Sequence, residues 1–259
     1  MGIDMGLHMM QVPEEYGGMG LDTTTTAMMI EEGAKVESTY MGMFNVTSMG
    51  GKIVMAAGNE EQKQYYAGLL QKGYLSAFCL TEPGAGSDSA AVRTTAVREG
   101  DSYVINGTKM FITNASLADM FLVVASVDPS KGSRGLATFI VERDRLGVNI
   151  SKKIEKFGMR LSNTAEVIFE DVKIPASNLG ACQLARDLAV QYSKERVAFG
   201  KPICAKQMIQ EKFANMEILI QAGRGLVYNA AMLLDEGVPC NTEASIAKCF
   251  VTEAFGKSQ

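Results

Sequence analysis

The chain has 259 residues, 47% of them apolar and 21% charged, with a net charge of −4. That is the composition of an ordinary globular protein, long enough for one large domain or two to three small ones. It implies no basic face or arm, so nucleic acid is not an expected partner, and no stretch is apolar over the roughly 18 residues that a membrane-spanning helix needs.

Cysteine and histidine narrow the chemistry further. Cys79, Cys182, Cys204, Cys240 and Cys249 are odd in number and show no CxxC spacing. They read as scattered buried thiols rather than a disulfide framework or zinc site. His8 is the only histidine, so metal clusters and Ser-His-Asp triads lose their support. Any catalysis has to use a carboxylate, a cofactor, or both. The opening Met1-Gly-Ile-Asp-Met lacks the charged-then-apolar order of a signal peptide. The expected location is cytoplasmic, or the mitochondrial matrix in a eukaryote.

Residues 1–73 read as an N-terminal helical domain. Asp22 and Thr23 are placed to cap a helix carrying Ala27, Met28, Ile30, Glu31 and Glu32. A second helix is expected from Asn59, with Gln62 as its capping-box partner. The methionines at 28, 29, 41, 43, 49 and 55 suit helix cores.

Residues 74–177 change to short strands. Tyr103–Thr113 holds Asn106-Gly107 between β-prone runs, the pattern of a tight hairpin turn. Met120–Ala125, Leu136–Val141 and Ala165–Glu170 read as further strands. No helix-length pattern separates them, which predicts antiparallel connections and a small β-barrel or sandwich.

Residues 178–259 are helical again. Leu184, Leu188 and Tyr192 share a face. A long helix is predicted from Ala205 to Glu236, closed by Gly237 and Pro239, and a last one from Asn241 to the end. The fold class is therefore α+β: an N-terminal helical domain, a central antiparallel β-barrel or sandwich, and a C-terminal helical bundle. Helices, then strands, then helices excludes a Rossmann fold, which alternates the two.

One loop stands out as a binding candidate. Phe78-Cys-Leu-Thr-Glu-Pro-Gly-Ala-Gly-Ser-Asp88 leads a short apolar strand into Pro83, Gly84 and Gly86. Glycines admit a ligand close to the backbone, whose N–H groups can meet anionic oxygens. Taken alone, a glycine-rich turn more often serves structure than a ligand.

Leu80-Thr-Glu-Pro-Gly-Ala-Gly-Ser-Asp88 closely resembles the signature of acyl-CoA dehydrogenases. The same family's motifs recur in order at Pro13–Gly20, Asn106–Asn114, Phe169–Pro175, Glu195–Pro202 and Ser245–Lys248. The resemblance covers nearly the whole chain and implies a FAD enzyme that oxidises acyl-CoA thioesters and passes electrons to an electron-transferring flavoprotein. It implies that Phe78, Leu80 and Thr81 line the isoalloxazine beside Gly86. Ser87 would sit where flavin phosphate and the substrate's pantetheine converge. Phe111 would pack on the ring where relatives often carry Trp, and Thr113 would bond near its hydride-accepting nitrogen. Arg196 and Phe199 would reach the FAD of a neighbouring subunit, with Gln207 near the adenine, so a homo-oligomer is expected. Without the family, Arg196 reads equally as a solvated helix charge, and Phe111 and Phe199 as core.

The resemblance also marks a departure. Relatives carry the catalytic glutamate in a segment beyond the Ser245–Lys248 motif or on the first long helix after the β domain. Here Gly180 is followed at once by Ala181–Leu188, which resembles the later half of that helix. The expectation is a chain truncated at both ends, with an internal deletion near residue 180 and both homes of the base gone. No catalytic residue is assigned: Glu82, Glu195 and Glu243 match non-catalytic positions. The alternatives are a family fragment that binds FAD without turnover, or an acyl-CoA oxidase-like relative.

Overall fold

The computed structural model describes residues 2–86, 88–175, 179–180 and 207–258. The chain groups into two units, residues 1–20 with 42–187, and residues 21–41 with 188–259.

The first unit is built on a sheet. Its strands are β1 (Ser76–Cys79), β2 (Thr95–Glu99), β3 (Ser102–Thr113), β4 (Met120–Ser126), β5 (Leu136–Glu142), β6 (Val148–Ile150), β7 (Thr164–Pro175) and β8 (Leu179–Gly180). The order is β6-β7-β3-β2-β4-β5-β8, with β1 added beside β4. The sheet curls around one apolar core containing Ala77, Cys79, Ile112, Phe121, Phe139 and Phe169. Phe121 meets Phe169 edge-on, centroids 6.4 Å apart, the arrangement aromatic quadrupoles favour. On the outer face Met120, Leu122 and Ile140 pack with Met9, Val12, Tyr66 and Leu70. All seven residues of β4 are buried, which is why its sequence is a continuous apolar run rather than an alternation.

Two helical segments belong to this unit: the part of α1 (Thr23–Ala57) from residue 42 onward, and α2 (Glu60–Gln71). The capping box of α2 forms as expected, with Asn59 Oδ1 accepting from Gln62 N–H and Gln62 Oε1 from Asn59 N–H, both at 2.9 Å.

The strands read from the sequence pair antiparallel as expected, β3 with β7 and β4 with β5, but two features depart from the sequence reading. β1 pairs with β4 in parallel, Ser76 beside Met120 and Cys79 beside Val123. The β2–β3 hairpin lies between them in sequence and serves as the crossover that a parallel pair requires. Nor does the chain turn at Asn106-Gly107: β3 runs straight through, and the hairpin turn falls at Gly100-Asp101. The Asn106 side chain bonds Asp171 in both directions, Nδ2–H to Asp171 Oδ1 at 3.0 Å and Oδ1 from Asp171 N–H at 2.9 Å. The register against β7 shifts between Ile105 and Gly107. A Cβ on Gly107 would stand 2.3 Å from Thr94 Oγ1. The dipeptide therefore stays in the strand opposite a bulge of β7, where Glu170 and Asp171 (φ 50°) face Asn106 alone, and its glycine allows close backbone packing.

In the second unit, α1 begins with Asp22 Oδ1 accepting from Thr25 N–H at 2.6 Å, the predicted cap. Its backbone leaves helical geometry at Glu37, whose carboxylate accepts from Thr39 N–H at 2.9 Å. α3 (Gln207–Asp235) and α4 (Asn241–Ser258) pack together. α3 stops where the sequence says: Gly237 takes φ 71°. Val238 N–H bonds Leu233 O and Gly237 N–H bonds Leu234 O, a Schellman closure. The Asp235 carboxylate accepts from Thr23 N–H and Thr24 N–H at 3.0 Å. Glu31 accepts from the Arg224 guanidinium and the Tyr228 hydroxyl. Those bonds explain why residues 21–41 group with the C-terminal helices. The expected face of Leu184, Leu188 and Tyr192 lies outside the described residues, and no described helix is long and apolar enough to cross a membrane.

Candidate functional site

The candidate loop leaves β1 beside the end of β3. Met110 N–H donates to Thr81 O at 2.8 Å, and the Asn114 side chain reaches Ser76 O at 3.5 Å. Residues 76–81 therefore run antiparallel to 114–110. Ala77, Cys79 and Ile112 enter the sheet's core, so alternation places Phe78, Leu80, Phe111 and Thr113 on the other face. Phe78 and Leu80 are half-buried there against Val92, Val124 and Leu136. Thr81 and Thr113, also half-buried, stand on neighbouring segments.

The loop then closes tightly. Glu82 N–H bonds Ala85 O at 2.9 Å and Ala85 N–H bonds Glu82 O at 3.2 Å, across Pro83-Gly84. Beyond it the surface is open, for a Cβ on Gly84 or Gly86 would meet nothing within 4 Å.

Beneath the loop lies a charged pair. The Lys109 ammonium is fully buried and donates to Glu82 Oε1 at 2.7 Å and to Leu80 O at 3.1 Å. Glu82 also accepts from Arg93 N–H at 2.7 Å, Thr94 N–H at 2.9 Å and Thr94 Oγ1 at 2.6 Å. Burial pushes the Glu82 carboxyl up, but Lys109, Thr94 and the Arg93 backbone outweigh it and hold it below the usual range. Burial draws the Lys109 ammonium down, opposed by Glu82. Sequence reasoning missed Lys109. Its signal was parity: Ile105, Gly107 and Lys109 share one face of β3, and Ile105 is core.

Phe111 is the unusual residue of the site. Against β7 the register shifts between Lys109 and Ile112, and Phe111 takes φ 57°. The left-handed region costs a non-glycine residue roughly 1–2 kcal/mol. The bulge turns the ring outward, 60% exposed, and bulges re-aim side chains in this way. Asn114 ends the strand in the same backbone region, φ 67°. Buried, it donates from Nδ2 to Met43 O at 2.8 Å and from its own N–H to Asn163 O at 2.9 Å.

The remaining expectations sort plainly. Gly86 is exposed at the loop's end. Ser87, Arg196 and Phe199 lie outside the described residues, and of Gln207 only its place at the start of α3 is described. His8 is buried with Nε2 against Leu70 O at 2.9 Å, a packing role. Burial pushes the Cys79 thiol up to about 12, which makes it a poor nucleophile. Among the described residues no group of His, Cys, Asp and Glu is arranged to hold a metal.

Family models match along the chain: the acyl-CoA dehydrogenase N-terminal domain over residues 1–73, the middle domain over 77–172 and the C-terminal domain over 158–257. An acyl-CoA dehydrogenase of Bacillus subtilis strain 168 is 38% identical, over 98% of this chain and 74% of its own. That alignment extends over 282 positions, more than the 259 residues available, so the relative carries residues without a counterpart here. Among solved structures, butyryl-CoA dehydrogenase from Megasphaera elsdenii matches with a TM-score of 0.85 at 34% identity, over 97% of this chain and 74% of that one. A chain from the structure described as the electron transferring flavoprotein of Acidaminococcus fermentans matches at 0.87 and 38%, over 98% and 74%. Three domain models in the expected order and relatives matched over almost its whole length place this chain in the acyl-CoA dehydrogenase family of FAD-dependent oxidoreductases.

Proposed function

We propose that this chain binds FAD and an acyl-CoA thioester on the face formed by Phe78, Leu80, Thr81, Phe111 and Thr113. The observation that carries the reading is Phe111, turned outward at backbone cost beside a loop that is open in front of Gly84 and Gly86. Strain of this kind persists where the surroundings enforce it and concentrates at ligand sites.

The residues present fit an isoalloxazine. Phe111 offers an aromatic face, and Phe78 and Leu80 an apolar wall. Trans peptide geometry sets the Leu80 carbonyl and the Thr81 N–H on opposite sides of their bond. With Leu80 O held by Lys109, the Thr81 N–H is directed away from it, and no described residue accepts from it. That N–H and the hydroxyl are suited to the pyrimidine side of the ring, and Thr113 to its centre. Gly86 and Ser87 would admit the flavin phosphate and pantetheine, while Arg196, Phe199 and Gln207 would serve the FAD of a second copy. When bound, FAD supplies the acceptor for the hydride leaving the β-carbon of the thioester. Orienting and drying the thioester fall to the protein.

The proton step needs a carboxylate, and this part of the chain does not supply one. Glu82 is committed to its four donors. Asp88 caps the short turn Ser89–Ala91 through Ala90 N–H. The B. subtilis relative carries residues without a counterpart here, and our reading sets the shortening of the base-bearing helix near residue 180, where Ala181–Leu188 follows Gly180 at once. The described residues of this face therefore hold FAD and thioester without supplying the base, and slow or absent turnover is the expectation. Electrons from any turnover would pass to an electron-transferring flavoprotein.

The test is spectroscopic. Purified protein with added FAD is expected to show a bound-flavin spectrum, and acyl-CoA without oxygen is expected to leave it unbleached. No flavin binding refutes the site; prompt bleaching refutes the missing base. Oxygen consumption against dye reduction separates an oxidase-like relative.

A further inference from the structure

We infer that Lys109 and Glu82 are a positioning pair that presents the Thr81 N–H to the flavin. The inference rests on the FAD reading above and adds to it a role for two residues that touch no ligand.

The argument begins with the main chain. The loop can meet a ring in register only if the Leu80–Thr81 peptide has one orientation. Among the described residues none bonds the Thr81 N–H from the outer side, and a Cβ on Gly84 or Gly86 would meet nothing within 4 Å. What sets it is inside: Lys109 Nζ holds Leu80 O at 3.1 Å. Planarity of the peptide then aims the Thr81 N–H the other way, while Thr81 O is taken by Met110 N–H at 2.8 Å. The two peptides on either side of Thr81 are thus each held at the carbonyl, and the Thr81 N–H is the donor left for a ligand.

Lys109 can do this only because it is itself held. A buried ammonium is costly unless paired, and its partner is Glu82 Oε1 at 2.7 Å. Glu82 is fastened in turn by Arg93 N–H, Thr94 N–H and Thr94 Oγ1, all within 2.9 Å. The bonds form a chain from residues 93–94 through the pair to the Leu80 carbonyl. Lys109 also lies two residues before Phe111, so the same strand segment carries the anchor of the loop and the aromatic face.

The experiment uses the full chain. The double variant K109M/E82Q removes both charges and keeps the side-chain volumes, so it is expected to fold with a cooperative melt. FAD affinity, titrated by quenching of flavin fluorescence, is expected to fall about tenfold, the worth of roughly one hydrogen bond. The visible band of the bound flavin is expected to shift, a signature that loss of stability alone does not produce. A folded double variant with the wild-type dissociation constant and a superimposable spectrum overturns the inference. If the double variant does not fold, T94V, which removes one donor to Glu82 and keeps the pair, decides. It is expected to weaken FAD binding about threefold, a fraction of one hydrogen bond, and an unchanged constant overturns the inference. Wild-type protein that takes up no FAD refutes the underlying site instead, which keeps the two failures distinct.

Discussion

Replacing Lys109 by methionine tests the buried pair as a stability element. The side chain is fully buried and its partner nearly so, at 0% and 6% exposure. Methionine fills the space but leaves the Glu82 carboxylate without its cation, still bonded to Thr94 and the backbone. Breaking a buried pair on one side costs about 3–5 kcal/mol, because a charge is left uncompensated. The pH dependence gives the mechanism away. In the wild type the folded Glu82 carboxyl lies below the ordinary value of 4.5. Its stabilisation is complete above that value and is lost as pH falls through the folded one. In K109M the cation that helps to lower the carboxyl is gone, burial is less opposed and the folded carboxyl moves up from its wild-type position, so protonation relieves part of the cost as pH falls. Urea unfolding at pH 7.5 and pH 5 should therefore show a K109M deficit that is smaller at the lower pH. Adding E82Q should recover most of it at pH 7.5. A deficit below about 1 kcal/mol, or one that is equal at both pH values, would refute the reasoning.

Three further expectations follow from the geometry. Phe121→Ala removes a fully buried ring set edge-on to Phe169 and should cost about 3–5 kcal/mol in urea unfolding. Asn59→Ala breaks the capping box of α2 and should cost about 1 kcal/mol. Phe111→Gly relieves left-handed strain of roughly 1–2 kcal/mol against a glycine entropy cost of roughly 0.5–1 kcal/mol. Its stability should stay within about 1 kcal/mol of wild type while FAD binding weakens; a large loss of stability would make the ring a packing element instead.

The differences between sequence and structure have one pattern. Asn59 with Gln62, and Gly237 after α3, were legible because a cap is completed within a few residues by groups adjacent in the chain. Asn106-Gly107 misled for the complementary reason. The dipeptide satisfies a hairpin turn locally, but its side chain is claimed by Asp171, 65 residues on, and its missing Cβ by Thr94. Phe111 and Lys109 sit two positions apart in one strand, and the shift in register against β7 sends the ring outward while the ammonium stays inside.

By themselves, the residues in order determined the element types, most strand positions, the helix ends and the family, since each is written in short contiguous motifs. Only the tertiary structure decided that β1 lies parallel to β4, that Lys109 is buried against Glu82, and that Phe111 faces outward. Those outcomes depend on which distant strand completes a hydrogen-bond ladder. A pairing partner tens of residues away leaves no local trace in the chain that it pairs with.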